Sequence, residues 1–326
     1  MTLLRYFGSL DRVGVVPILG YAGLKIDGLT SEECLLNPRL HANLVRTNLQ
    51  HFHPDAVLPL LDLTVEAESY GVQPVFNNNE APRIERHLSL ERAAHLEPSE
   101  TQTDRMSIMI ETARLISKET KDVPKGFFVT GPFTLAGQIV GILDLMKGIS
   151  FSEPTISPLL ERSTQTIVNY SRYLEAAGVD FLVIADPTSS LISPKQFSEF
   201  AEVPIRKIVK SFSKDVILHI CGRSGHLLRQ MVDTGVAAIS IDQNIKLVDA
   251  VKTVPNNILI FGNYSPTNFM LEKPETIRAH VETMLSEVSE AENVVASTGC
   301  DIPSSCPAEN IEAFIQTVKT FKKLRR

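Results

Sequence analysis

The stretch Val216-Ile217-Leu218-His219-Ile220-Cys221-Gly222 is a short apolar run that ends in glycine, and its length and composition predict a buried β-strand. Seven further runs share this character, and stretches with the spacing of amphipathic helices lie between them. The eight predicted strands are Val15 to Gly20, Ala56 to Asp62, Gly126 to Phe133, Val179 to Pro187, Val216 to Gly222, Val236 to Asp242, Ile258 to Asn263 and Val294 to Cys300. The predicted helices include Asp104 to Thr120, Pro158 to Ala177, Pro194 to Phe212, Pro274 to Ser289 and Ala308 to Leu324.

Eight strand-helix units in 326 residues predict an α/β fold of the (β/α)8 TIM-barrel type. We expect residues 1–326 to form a single domain, with an N-terminal extension and an excursion from Asn77 to Glu100 as additions to the barrel. A doubly wound sheet has the same alternation of strands and helices. It is less favoured, because no glycine-rich nucleotide-binding loop follows the first strand.

The composition excludes several classes of protein. The net charge is −6 and lysine and arginine are dispersed, so the sequence does not predict a nucleic-acid-binding surface. No apolar run approaches the roughly 18 residues that cross a bilayer, and the first residues lack a signal-peptide pattern. The four cysteines fit a reducing compartment. We therefore expect a cytoplasmic protein without membrane segments.

A candidate metal site follows from the quoted stretch. His219 and Cys221 alternate with Ile220, so on a strand their side chains point to the same face. Cys300 ends another predicted strand, and imidazole nitrogen with thiolate sulfur is a donor set that zinc prefers. Three protein ligands leave one position open, which is typical of catalytic zinc. Cysteine is also often simply buried, and spacing alone leaves that alternative open.

Further polar residues fall at the ends of predicted strands, and a barrel brings such ends together at its carboxyl-terminal face. They are Asp62, Asp186, Asp242, Asn263 and, just beyond, Tyr264. Each can instead serve as a turn or helix cap. Asp62 and Glu66 also have the i, i+4 spacing of one helical face, which fits paired acid and base catalysis or a solvated surface equally well.

Several motifs together resemble the uroporphyrinogen decarboxylase superfamily, and specifically its zinc-dependent corrinoid methyltransferase branch. This branch includes methylcobamide:coenzyme M methyltransferases and the methyltransferases of O-demethylases. The motifs are Asp62-Leu63-Thr64-Val65-Glu66-Ala67-Glu68, Gly131-Pro132-Phe133-Thr134, Ala185-Asp186-Pro187, His219-Ile220-Cys221-Gly222, Gly262-Asn263, and Gly299-Cys300 followed by Pro307-Ala308-Glu309-Asn310-Ile311. The decarboxylases of the superfamily lack the zinc ligands and carry an arginine-rich motif near the N-terminus. Here the first predicted strand leads into Gly20-Tyr21-Ala22-Gly23-Leu24 instead.

The resemblance implies a TIM barrel in which His219, Cys221 and Cys300 bind Zn²⁺, and in which a separate corrinoid-binding protein supplies cobalamin. No Asp-x-His-x-x-Gly motif for cobalamin occurs in the sequence itself. We expect a methyltransferase that moves a methyl group between a small molecule and the corrinoid cobalt. The small molecule is either a methylated or methoxylated donor or a thiol acceptor, and the direction of transfer stays open.

Within this hypothesis, Asp186 and Asp242 are the predicted catalytic residues, with Asp242 also a candidate fourth zinc ligand. Asp62, Asn263 and Tyr264 are the predicted substrate-binding residues. Cys306 is expected to be structural, although its position near Cys300 makes it an alternative third ligand. Two other functions remain: a metal-independent decarboxylase, and a non-catalytic barrel that binds a corrinoid or a small ligand.

Overall fold

Seven parallel strands form one curled sheet in the computed structural model, which describes residues 1–77, 79–96 and 104–322. Their order in the sheet is β1-β9-β8-β7-β6-β5-β4, and a short antiparallel hairpin of β2 and β3 lies apart from it. The strands are β1 Gly14–Val15, β2 Pro74–Val75, β3 Arg83–Ile84, β4 Gly126–Thr130, β5 Phe181–Ala185, β6 Asp215–Ile220, β7 Ala238–Ile241, β8 Leu259–Tyr264 and β9 Val294–Thr298. All six pairings in the large sheet are parallel.

The gap between β1 and β4 is closed by the segment predicted as the second strand, Ala56 to Asp62. Only Val57 forms a β-bridge there, to Lys125. On the opposite side the backbone N–H of Asp55 donates to the carbonyl of Val15 at 2.8 Å. The prediction was therefore right about the position of this segment and wrong about its length.

The first predicted strand is also shorter than expected. Val16 still donates its N–H to the carbonyl of Ala296 at 2.9 Å, but the next N–H that faces β9, that of Ile18, bonds a side chain instead of the backbone. The chain nevertheless stays beside β9. Ile18 donates its N–H to Oγ1 of Thr298 at 3.0 Å and accepts at its carbonyl from Ile302 at 3.0 Å.

Sixteen α-helices occur in the part of the chain described here. They are α1 Leu3–Gly8, α2 Leu24–Asp27, α3 Ser31–Leu35, α4 Pro38–Phe52, α5 Leu90–His95, α6 Asp104–Glu119, α7 Pro132–Val140, α8 Ile142–Ser150, α9 Ile156–Ala176, α10 Pro194–Phe197, α11 Val203–Ser211, α12 Leu228–Asp233, α13 Leu247–Thr253, α14 Asn268–Leu271, α15 Pro274–Ser286 and α16 Ala308–Thr320. The five predicted helices are all present. Residues 323 and 324, at the predicted end of the last one, and residues 78 and 97–100 of the predicted excursion lie outside the described ranges.

The helix predicted from Pro194 to Phe212 is interrupted. A π-helical turn, Ser198–Glu202, separates α10 from α11. Pro204 lies two residues beyond this turn, and a proline inside a helix cannot donate to the carbonyl four residues earlier, so the hydrogen-bond pattern is broken at this point.

The alternation of side chains along the strands divides the core into two layers. Phe128, Phe181, Val183, Ile217 and Phe261 are buried together inside the barrel. The intervening strand residues, such as Leu182, Leu218 and Ile239, are buried between the sheet and the helices. Each strand therefore has one face on each layer, which explains the nearly continuous apolar runs in the sequence.

No single helix in the described ranges has the length and hydropathy of a membrane span. Helices α7 and α8 have this length and hydropathy only when taken together, and the chain bends by 110° at the break between them.

Candidate metal centre at the carboxyl ends of the strands

The strands end in a ring of polar residues, which we call the mouth of the barrel. The mouth comprises Gly20, Asp62, Gly131, Asp186, Cys221, Asp242, Asn263 and Cys300 with the residues adjoining them. The β/α turns that follow the strands place these residues on one rim. This is the rim at which barrels of this type hold their active sites.

His219, Cys221 and Cys300 meet at this rim. One ligand atom from each lies within 4.8 Å of the other two. His219 and Cys221 follow the alternation of β6 that buries Ile217 in the barrel interior, and Cys300 follows β9. Two strands separate β6 from β9 in the sheet, so the curl of the barrel is what brings the third side chain to the first two.

The imidazole of His219 is held in one orientation. Its Nδ1 lies 2.9 Å from Oγ of Ser240, whereas its Nε2 is buried and has no hydrogen-bond partner among the described residues. A buried, unpaired ring nitrogen beside two thiols fits a zinc site, because neutral imidazole and thiolate are the usual zinc ligands. The residues present therefore suit the metal that the sequence predicts.

The two thiols are chemically unequal. A hydrogen bond from Cys300 lowers the pKa of Cys221, and this effect outweighs the opposing effect of burial. The same bond and burial raise the pKa of Cys300 to about 12. Cys221 therefore ionises more readily than Cys300. A cation bound here would hold both sulfurs as thiolates.

Asp242 lies next to the three candidate ligands but is engaged with the backbone. Its Oδ2 accepts from the N–H of Gly222 at 2.8 Å, and its Oδ1 accepts from the N–H of Asn244 at 2.8 Å. Gly222 has a φ of +81°, a conformation that glycine adopts readily, and it directly follows Cys221. The carboxylate of Asp242 therefore fixes the turn that carries Cys221.

Asn263 holds the neighbouring turn, which follows β7 and carries Asp242. Its side-chain amide donates to the carbonyl of Asp242 at 2.9 Å and also to the carbonyl of Ile245. Tyr264, the next residue, points the opposite way. Its hydroxyl donates to Glu272 at 2.8 Å, and its ring packs among residues between the sheet and the helices, including Phe269 and Phe314. The structure thus brings Asn263 into the mouth and leaves Tyr264 outside it.

Asp186 is fully buried and serves the start of helix α7. Its Oδ1 accepts from the N–H of Thr134 at 2.7 Å, and its Oδ2 accepts from the hydroxyl of Ser189 at 2.9 Å. The residue before α7 is Gly131, which has no side chain to cap the helix; a Cβ there would lie 2.2 Å from Cβ of Asp186. Asp186 therefore supplies the cap from a neighbouring strand end. Burial raises its pKa in spite of these bonds.

Asp62 forms a buried ion pair with Arg105. The guanidinium of Arg105 bonds Oδ2 of Asp62 and also contacts Oε1 of Glu68 at 3.1 Å, while Oδ1 of Asp62 accepts from the N–H of Thr64 at 2.8 Å. The Arg105 guanidinium lies 5.2 Å from the ring centre of Phe76. Sequence reasoning missed Arg105. A signal existed, because a cation in the first turn of a helix is opposed by the helix dipole and so indicates a specific anionic partner.

Glu66 is not on a shared helical face with Asp62, because the chain from Asp62 to Glu66 forms turns rather than a helix. Its carboxyl group is buried against Thr130, whose N–H and hydroxyl lie 2.8 and 2.7 Å from the two oxygens. Burial raises the pKa of Glu66 to about 7, although the bonds to Thr130 oppose the rise. The two acids predicted as a pair therefore belong to separate networks.

Asp301 directly follows Cys300 and was not singled out from the sequence. Its Oδ1 is inaccessible to solvent and has no hydrogen-bond partner among the described residues. It rests against Gly20, where a Cβ would lie 2.6 Å away. Burial raises the pKa of Asp301 well above its ordinary value, and the neighbouring Cys300 adds to the rise.

These features agree with the comparisons. Residues 9–321 match the model of the uroporphyrinogen decarboxylase family, and the chain belongs to this family. The methylcobamide:CoM methyltransferase MtaA of Methanosarcina barkeri is 27% identical over 316 residues, which are 94% of this chain and 90% of that protein. The methylcobamide:CoM methyltransferase MtbA of Methanosarcina acetivorans is 30% identical over 279 residues, which are 82% of this chain and 80% of the relative.

Among solved structures, a methyltransferase from Methanosarcina mazei superposes with a TM-score of 0.85 at 24% identity, covering 97% of both chains. This likeness confirms the α/β barrel fold.

Proposed function

We propose that this chain is a zinc-dependent methyltransferase that moves a methyl group between a small molecule and the cobalt of a separate corrinoid protein. The observation that carries the proposal is the group formed by Nε2 of His219 and the sulfurs of Cys221 and Cys300. The relatives named as methylcobamide:CoM methyltransferases support the reaction class.

The metal would supply one kind of chemistry. Zinc held by these three residues would act as a Lewis acid toward the sulfur or oxygen atom of a small substrate.

The chain's own residues prepare the site for that role. Ser240 orients the imidazole of His219, so that Nε2 faces the two sulfurs. Asp242 holds the turn after Cys221, Asn263 holds the turn that carries Asp242, and we assign both residues positioning roles. The bonds of Asp62 and Asp186 connect them to Arg105 and to helix α7, so we assign both a role in shaping the mouth. Tyr264 faces the helices and receives no role in the reaction.

A partner protein would supply the corrinoid. The relatives are methylcobamide:CoM methyltransferases, a name that makes methylcobamide one of their two reactants. We propose that a separate corrinoid protein presents its cobalt at the mouth, where the candidate ligands lie.

The first experiment is the metal content of purified protein, measured by inductively coupled plasma mass spectrometry beside a Cys221→Ser variant. The expected result is about one zinc per chain in the wild type and loss of most of it in the variant. Demethylation of methylcobalamin in the presence of thiols, followed by the visible spectrum, then tests transfer. A folded wild-type protein that binds no zinc would favour the decarboxylase reaction of the family instead.

A further inference from the structure

The two cysteines of the candidate metal group belong to strands that lie far apart in the sheet. Strands β7 and β8 separate β6 from β9, and three strand spacings amount to about 14 Å along an uncurled sheet. The ligand atoms of Cys221 and Cys300 nevertheless lie within 4.8 Å of each other. Besides the curl of the barrel, contacts between the turns therefore have to hold Cys300 close to Cys221.

The turn after β7 supplies these contacts to both sides. Toward β6, Oδ2 of Asp242 accepts from the N–H of Gly222 at 2.8 Å. Toward β9, the residue before Cys300 is Gly299, which packs directly against Gln243, the residue after Asp242. The two halves of the candidate metal group are thus joined through this turn, across the end of β8.

The contact at Gly299 leaves no room for a side chain. A Cβ at this position would lie 2.5 Å from the backbone nitrogen of Gln243 and 2.3 Å from its Oε1. Gly299 also donates its N–H to the carbonyl of Tyr264 at 2.8 Å, so the same turn is attached to β8. The φ angle of Gly299 lies outside the left-handed region, and glycine is therefore needed here for space and not for its backbone conformation.

We infer that Gly299 is a positioning residue for the metal centre: the absence of its side chain lets the turn after β9 approach Gln243 closely enough to bring Cys300 to Cys221. The inference rests on the proposed function, because it assumes that the two sulfurs bind zinc. Alanine at position 299 would have to part the two turns by roughly 1 Å to reach an ordinary van der Waals distance. Zinc sites accept deviations of only about 0.2 Å in ligand distance, so the bond from Cys300 would be weakened.

Metal affinities of the full chain, measured by competition with a chelating dye, test the inference in the wild type and in Gly299→Ala. Zinc and cadmium are both titrated, because cadmium is a larger ion that also prefers thiolate ligands. Gly148→Ala is the matched control. Gly148 is buried in α8, a helix that carries none of the candidate ligands, and a Cβ there would lie 2.5 Å from Cδ1 of Ile156.

The expected result is a loss of zinc affinity of about 10- to 100-fold in Gly299→Ala, the range typical of changes to the groups that support a metal ligand. The loss for cadmium is smaller, because the larger ion can bind more widely spaced sulfurs. Gly148→Ala keeps the wild-type affinity for both metals.

A second pair of variants applies if Gly299→Ala does not fold. Gln243→Gly removes the side-chain oxygen closest to position 299 and leaves the contact with the backbone nitrogen. The double variant Gly299→Ala/Gln243→Gly is then compared with Gln243→Gly alone. The same preferential loss of zinc over cadmium is expected, reduced in size because only one of the two close contacts is left.

Two results separate this inference from the proposed function. Unchanged zinc affinity in a folded Gly299→Ala protein, or equal losses for zinc and cadmium, overturns the inference even when the wild type demethylates methylcobalamin. A preferential loss of zinc in a protein whose wild type does not demethylate methylcobalamin supports the role of Gly299 and counts against the methyltransferase proposal. A wild type that binds neither metal overturns both.

Discussion

Oγ of Ser240 lies 2.9 Å from Nδ1 of His219, so the histidine has one ring nitrogen engaged within the barrel and the other directed at the two candidate thiolates. Partners of this kind fix the orientation of metal-binding histidines and make their free nitrogen a better donor. Ser240 comes from the strand next to β6, so the sheet register itself sets this contact.

Replacing Ser240 with alanine should therefore weaken zinc binding by about 10- to 100-fold. Competition with a chelating dye measures the affinity. Ser240→Thr keeps the hydroxyl and should restore most of it. Ser297→Ala is the control, because Ser297 is another buried serine, bonded to the carbonyl of Val16 rather than to a candidate ligand. Equal losses in Ser240→Ala and Ser297→Ala would show a general effect on the barrel.

Cys300 and Cys306 should respond oppositely to substitution. Cys300 belongs to the candidate metal group, whereas Cys306 is buried in an apolar cluster with Ile302 and Phe314, and burial raises its pKa to about 11. Cys300→Ser should lower zinc affinity by at least about 100-fold, and Cys306→Ser should keep it. Zinc content after dialysis distinguishes them. Retention of zinc in Cys300→Ser with loss in Cys306→Ser would reverse the assignment.

Glu66 should make the stability of the protein fall with rising pH. Its pKa is about 7 in the folded protein against an ordinary value of 4.5, so the folded state favours the protonated form. The stabilisation is complete below pH 4.5 and is lost as the pH rises through 7. Glutamine resembles the neutral acid, because its side-chain amide can donate to the hydroxyl oxygen of Thr130 while the Thr130 hydroxyl donates to the carbonyl of Leu63.

Glu66→Gln should therefore be more stable than the wild type at pH 8 by roughly 2 to 3 kcal/mol and similar to it at acidic pH. Urea unfolding at pH 5 and pH 8 measures the difference. Glu287→Gln, at an exposed glutamate, should leave the dependence unchanged. A Glu66→Gln protein with the same pH profile as the wild type would rule out this role of Glu66.

Asp186 should contribute to stability more than to the reaction. Alanine at this position removes the acceptor for Thr134 and Ser189 and should cost about 1 to 3 kcal/mol in unfolding free energy. Asparagine keeps an acceptor for the N–H of Thr134 and should cost less, with zinc affinity unchanged in both variants. Loss of all transfer activity in a stable Asp186→Asn protein would instead return Asp186 to the catalytic role predicted from the sequence.

Much of the fold could be predicted from sequence, because strands buried on both faces leave long apolar runs that end where the chain turns. Seven of the eight predicted strands correspond to strands of the sheet, and the remaining segment, Ala56 to Asp62, lies in the gap between β1 and β4 with a single β-bridge. The first strand ends earlier than predicted, where Ile18 bonds a side chain next to β9, and the helix predicted from Pro194 to Phe212 is interrupted near Pro204, which has no N–H. Such a proline can be read directly from the sequence, even where the helical spacing of apolar residues continues across it.

The surroundings of the site were less predictable, because they depend on which distant side chains meet. The alternation rule alone separates Asn263 from Tyr264, since consecutive strand residues face opposite sides. Arg105 neutralises Asp62 from a helix 43 residues away in sequence, and no spacing rule shows that pairing. Asp186 occupies a helix start that Gly131 leaves uncapped, which becomes visible only when the two strand ends lie side by side.

The closing contact between Val15, Asp55 and Val57 gives the barrel a seam. Elsewhere the strands are joined by ladders of backbone hydrogen bonds. Here a side chain supplies one of the bonds: Oδ2 of Asp55 accepts from the N–H of Val15 at 2.8 Å, and the same carboxylate forms an ion pair with Arg12. Dissolved salt weakens an ion pair by screening, and it weakens a ladder of backbone hydrogen bonds much less. Local opening, seen as amide hydrogen exchange, should therefore begin at this seam and become faster as ionic strength rises. Strand β6, which carries His219 and leads to Cys221 on the opposite side of the ring, should stay closed.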